Sequence, residues 1–140
     1  MQETAELYAS VTKPKVIEPL NTPEAKEWIY NVLDGKKEVD LRIFADDQFI
    51  LSKDWEFNDG DPQTFYALAM PMRRDLLTLR DLDRSHLDLL KHIRQKSLQA
   101  IEEKHGLKSS QLRVFFHYLP TYFHLHVHFL HVNMVAKHSC

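Results

Sequence analysis

From His124 to Leu130 the chain reads HLHVHFL, with His124, His126 and His128 at alternate positions and Leu125, Val127 and Phe129 between them. Strict alternation of polar and apolar residues is the pattern of a β-strand with one face packed on a core. The stretch therefore demands a sheet, with the apolar residues on the core side and the three imidazoles together on the other. His131 has the opposite parity and is expected to face the core side or the strand's end. A single imidazole in a strand is ordinarily a hydrogen-bonded structural group. Three in register are hard to explain by packing, because each must be solvated or hydrogen-bonded at a cost to stability.

The rest of the chain supplies elements to surround that strand. Thr22 as N-cap, Pro23 at the first helical position and Gly35 past the end predict a helix of about three turns. Its apolar stripe is Ala25, Trp28, Ile29, Val32 and Leu33, which places Trp28 in the core. Residues 39–44 (VDLRIF) and 48–52 (QFILS) read as two strands of a hairpin joined at ADD. Residues 56–63 are a loop rich in Asn, Asp, Gly and Pro. Residues 64–72 (TFYALAMPM) form an unbroken apolar run, the mark of a central strand. A long helix follows, capped by Asp83 or Ser85, ended by Gly106, and faced by Leu87, Leu90, Ile93, Ser97, Leu98 and Ile101. Residues 111–118 (QLRVFFHY) are a fourth strand, which LPT turns into the histidine strand. Short connections favour antiparallel neighbours, so the fold class is α+β, an antiparallel sheet with flanking helices.

Two chemistries suit three imidazoles on one face. Imidazole is a common metal ligand. Yet a strand rises about 3.3 Å per residue, which separates His124 from His128 by roughly 13 Å, against metal–nitrogen bonds of about 2.1 Å. Two neighbours could share one ion, with His117 folding in from the preceding strand. The other chemistry is covalent catalysis at phosphorus. The central imidazole attacks while its neighbours orient it and stabilise charge on the phosphoryl oxygens.

HLHVHFL fits the histidine triad pattern His-φ-His-φ-His-φ-φ, where φ is apolar. The wider stretches HYLPTYFHLHVHF (117–129), EWIYNVLDGKKEVDLRIF (27–44) and LLTLRDLDRSHLDLLKHI (76–93) resemble the scavenger mRNA-decapping enzymes of that family. The resemblance covers essentially the whole chain. It implies a histidine triad fold and hydrolysis of the triphosphate bridge of 7-methylguanosine cap dinucleotides or short capped RNA. The implied product is 7-methylguanosine monophosphate, formed through a nucleotidyl-histidine intermediate with no metal or other cofactor. His126 would be the nucleophile, flanked by His124 and His128. His117, Thr121 and Tyr122 would contact phosphate. Trp28 would stack on the methylated base, where the ring's positive charge adds cation–π attraction. Glu38 and Asp54 would accept hydrogen bonds from the cap.

Residues 1–21 then read as a lead-in arm, and 22–140 as the catalytic domain, expected to be truncated at both ends relative to the family. Its members carry a domain before this region and a phosphate-contacting arginine beyond it. They also have a lysine where this chain has Glu56. Arg73 and Arg74 resemble a family feature, but surface charge is their ordinary role. Two other readings compete: a general histidine triad nucleotide hydrolase, and a catalytically weak cap- or nucleotide-binding protein. A homodimer is implied by resemblance.

Bulk properties set outer bounds. The formal net charge of -2 gives no basic field for a long nucleic acid. One cysteine, Cys140, excludes a disulfide framework and suits cytoplasm or nucleus. The first residues lack the apolar run of a signal peptide, and no stretch reaches the roughly 18 apolar residues of a membrane span.

Overall fold

The computed structural model describes residues 3–17, 22–36, 39–54, 56–118 and 123–134. Within them five strands form one antiparallel sheet: β1 (Arg42–Ala45), β2 (Phe49–Lys53), β3 (Tyr66–Pro71), β4 (Leu112–Phe115) and β5 (Val127–His131). The spatial order is β1-β2-β3-β5-β4. The β4–β5 hairpin thus inserts its second strand beside β3, which puts β5 inside the sheet.

Among the described residues three longer helical segments, besides short 3-10 turns, accompany the sheet. Ala5–Leu7 (α1) is one α-turn that continues as a π-helix over Tyr8–Ile17, Pro23–Leu33 is α2, and Leu87–His105 is α3. Helix α2 stops at Gly35, whose φ of 76° suits a residue without Cβ. The Arg42 guanidinium donates to the Val32 carbonyl at 2.8 Å, a second bond at an acceptor that also takes the Gly35 N–H at 3.2 Å. Helix α3 begins from a 3-10 turn, Arg84–His86, capped by Asp83, and ends at Gly106 with φ 68°.

Each face of the sheet carries one long helix. Ile93, Ala100 and Ile101 of α3 pack with Phe49, Leu51, Ala67, Ala69, Val127 and Phe129. Ile29, Val32 and Leu33 of α2 pack on Ile50 and Met70 from the other side. Alternation along β2, β3 and β5 sorts these residues, since Ile50, Met70 and His128 have the parity opposite to Leu51, Ala69 and Phe129. Helix α2 covers only the β2–β3 half of its face, and His128 occupies the other half.

Several expectations shift. Val39–Leu41 forms a 3-10 turn, so β1 starts at Arg42, and β4 ends at Phe115 rather than at 118. Leu87 is exposed, because α3 meets the sheet only from Leu89 onward. Trp28 is 39% exposed, because Ile29, Val32 and Leu33 already fill the contact with the sheet. The described part of the lead-in arm, residues 3–17, is helical from Ala5 onward and docked. Tyr8 is buried with Leu77 and Phe123. Its hydroxyl lies 3.0 Å from Thr78 Oγ1 and donates to Asp81 at 3.2 Å, while Lys13 pairs with Asp81 at 2.7 Å. Pro14 lies inside the π-helical stretch, where its missing N–H suits a widened turn.

Candidate active site around the histidine triad

The triad does not lie on one strand. β5 begins at Val127, so only His128 stands in the ladder, and His124 and His126 precede it. The register explains the break. Ala69 pairs with Val127, so Pro71 falls opposite Leu125, and a proline offers no N–H to extend the ladder. Leu125 instead donates its N–H to Leu76 O at 3.0 Å. Backbone carbonyls outside the ladder can then serve the imidazoles. His124 donates from Nε2 to Pro71 O at 2.8 Å. His126 donates from Nδ1 to the His124 carbonyl at 2.7 Å.

That second bond fixes the central ring. With the proton on Nδ1, Nε2 carries the lone pair. Burial pushes the pKa of His126 down to about 4, with nearby His117 acting in the same direction and the backbone hydrogen bond opposing. The ring is therefore neutral at pH 7, the state a nucleophile needs.

His128 sits among aromatic rings. Phe115, opposite it on β4, stacks at 5.1 Å with planes 9° apart. The His126 ring lies 4.9 Å away and the His117 ring 4.0 Å away. His117 stands just past the end of β4, and its Nε2 is buried without a hydrogen-bond partner among the described residues. Tyr66 Oη lies 2.9 Å from His128 Nδ1. His131 is buried with the core-side parity, and its Nδ1 accepts the N–H of Asn133 at 3.1 Å. The structure thus brings together His117, His124, His126 and His128 and leaves His131 out. Thr121, Tyr122 and Glu38 lie outside the described residues.

A pocket opens on the same face of the sheet. It is lined by Trp28, Leu41, Ser52, Asp54, Leu68 and Met70. Leu68 pairs with His128 in the register, so pocket and triad adjoin. Trp28 and Asp54 therefore meet at one cavity, as a base-binding pair requires. Asp54 Oδ2 accepts the N–H of Glu56 at 3.0 Å. Lys53 also lines this pocket and pairs with Asp59 at 3.0 Å. Arg73 and Arg74 pair with Asp75 and Asp34, at 2.6 and 2.7 Å, and both are exposed. Tyr66, Phe115 and the Pro71 carbonyl were not singled out from the sequence, because their contacts follow from strand register alone. Among the described residues no three His, Cys, Asp or Glu side chains are grouped as a metal site.

Comparison with known proteins identifies the fold and the family. A histidine triad protein from Clostridium difficile matches with a TM-score of 0.61 at 20% identity, covering 74% of this chain and 88% of that one. A HIT family hydrolase from Legionella pneumophila matches with a TM-score of 0.59 at 18% identity, covering 74% and 90%. The fold is the α+β histidine triad fold. An m7GpppX diphosphatase of Ascaris suum is 40% identical over 99% of this chain and 46% of its own length. The human m7GpppX diphosphatase is 36% identical over 99% of this chain and 42% of its own. The chain spans about half the length of the curated relatives it matches. Residues 27–139 match the family described as "Scavenger mRNA decapping enzyme C-term binding", and the chain belongs to that family.

Proposed function

We propose that the chain hydrolyses the 5′-5′ triphosphate bridge of 7-methylguanosine cap dinucleotides or short capped RNA, with His126 as the nucleophile. The observation that carries this reading is the bond from His126 Nδ1 to the His124 carbonyl, which leaves the lone pair on Nε2 of a neutral ring. Nε2 attacks the phosphorus next to the methylated nucleoside. An N–P bond forms and a bridging P–O bond breaks, its electron pair leaving with the remaining phosphates. Water then attacks the same phosphorus, the N–P pair returns to Nε2, and 7-methylguanosine monophosphate departs. His124 holds the attacking ring through its carbonyl. His128 and His117 contact the phosphoryl oxygens, with Thr121 and Tyr122 on the adjoining phosphate. Trp28 stacks on the base, and Asp54 with Glu38 accepts its N–H groups.

A time course with the cap dinucleotide tests this. Wild type releases 7-methylguanosine monophosphate, and His126→Asn does so at least about 10³-fold more slowly. Equal turnover by the variant refutes nucleophilic catalysis at His126. Faster cleavage of an adenosine phosphoramidate than of the cap assigns the site to a general nucleotide hydrolase instead.

One observation favours a second reading, a cap binder with weak turnover. Asp54 and Glu56 both bear electrostatically on Tyr66, the hydrogen-bonding neighbour of His128, so negative charge that would disfavour an anionic substrate stands near the triad. Cap binding without product release would support it. The homodimer and the cytoplasmic and nuclear location belong to the same proposal. The outer edge of β4, where Arg113 and Val114 are exposed, suits pairing between copies, which sedimentation would detect.

A further inference from the structure

The geometry points to Tyr66 as the positioning residue that sets the tautomer of His128. This rests on the catalytic reading of the triad, but the part of its test that reads the tautomer does not.

Tyr66 and His128 lie on the same face of neighbouring strands. Leu68 is the residue paired with His128, and Tyr66 precedes it by two, so the pair is a cross-strand diagonal. The contact is 2.9 Å between the phenol oxygen and Nδ1, and both side chains are buried, at 6% and 4% exposure. Phe115 stacks flat on the imidazole from the other side, which fixes the plane of the ring. Rotating the ring by half a turn keeps the stack but brings a C–H to the phenol oxygen. The hydrogen bond would then be lost from a buried pair.

A neutral imidazole has one N–H and one lone pair, and the partner at one nitrogen decides which is which. The phenol keeps its proton at neutral pH and so has one to give to Nδ1. Burial first, then the nearby carboxylates of Asp54 and Glu56, push its pKa up to about 12. A protonated phenol donating to Nδ1 puts the His128 proton on Nε2. The triad would then hold alternating tautomers, since His124 donates from Nε2 and His126 from Nδ1. The central ring presents a lone pair for attack, and His128 beside it presents an N–H to stabilise the phosphoryl oxygen.

This gives Tyr66 a role no packing residue would have. Long-range proton–nitrogen NMR of protein labelled with ¹⁵N-histidine reads the tautomer directly, with the His128 signals assigned by their loss in His128→Asn. Wild type is expected to show Nε2 protonated and Nδ1 as an acceptor. A wild-type His128 protonated on Nδ1 overturns the inference, and that measurement needs no Tyr66 variant to fold. In Tyr66→Phe the His128 tautomers are expected to mix, and kcat on the cap dinucleotide to fall about 10–100-fold with KM unchanged, the scale of losing a group that orients an active side chain. An unchanged tautomer in Tyr66→Phe overturns the inference whatever the rate does. If wild type proves inactive on the cap, the proposed function fails while the tautomer result still stands.

Discussion

The two halves of the histidine stretch follow different rules. From Val127 to His131 every residue is buried in a strand paired on both sides, and Phe129 sits at 0% exposure against α3. From Phe123 to His126 the residues are also buried, but outside the sheet ladder. In the ladder, carbonyls and N–H groups are consumed by neighbouring strands. Just ahead of it, the carbonyls of His124 and Pro71 are available to imidazole N–H groups. The attacking ring is therefore positioned by backbone that the sheet leaves over, and the packed half supplies the rigid base on which it stands.

The sharpest break between the halves is chemical. His126→Asn is expected to cut cap turnover at least about 10³-fold, read as 7-methylguanosine monophosphate release, while leaving the urea midpoint near wild type or above it. A large loss of stability would mean that the ring holds the fold together rather than acting on substrate. Phe129→Ala is the converse experiment. Removing a fully buried ring is expected to cost about 3–5 kcal/mol in urea unfolding, with the His126 environment retained in whatever remains folded.

Acid distinguishes the halves more finely. The folded pKa of His126 is about 4, below the ordinary 6.5. The unfolded chain therefore binds a proton more readily than the folded one across that window. Stability is complete above about pH 6.5 and falls as the pH drops toward 4, by about 3 kcal/mol for this one group. His126→Asn is expected to lose this part of the acid sensitivity, which unfolding curves at pH 7 and pH 4.5 would reveal. Cap turnover is expected to fall as the pH is lowered through about 4, because the nucleophile is protonated there. The smallest effect is at the mouth of the pocket. Trp28→Ala is expected to weaken cap binding by about 1–3 kcal/mol in titration calorimetry with a smaller change in stability, since Trp28 is 39% exposed and joins neither core cluster against the sheet.

Legibility in the sequence followed the range of the interactions. The α+β sheet, both long helices and the core side of Val127 and Phe129 follow from periodicity, which records which way a residue faces. The grouping of His117 with the triad followed from resemblance, and the structure brings these rings together. The supposition that His124, His126 and His128 share one strand failed for a reason periodicity cannot carry. Pro71, more than fifty residues earlier, falls opposite Leu125 and ends the ladder there. Trp28 shows the same limit. Its place in the α2 stripe implied burial, but three neighbours were enough to fill the contact with the sheet. Tyr66 was read as one apolar residue in a central strand, and only the register of β3 against β5 reveals its hydroxyl at His128.

The docking of the N-terminal helical segment has a consequence for motion. Tyr8 shares one small cluster with Leu77 and with Phe123, the residue before the triad, and its hydroxyl reaches the turn at Thr78 and Asp81. Peeling that segment away would uncover Phe123 and remove a wall from the 76–81 turn, whose Leu76 carbonyl holds Leu125. Segments that lose each other's cover open together, so amide exchange at Tyr8, Asp81 and Leu125 is expected to report one shared opening event, separate from the slower exchange of the β3–β5 ladder.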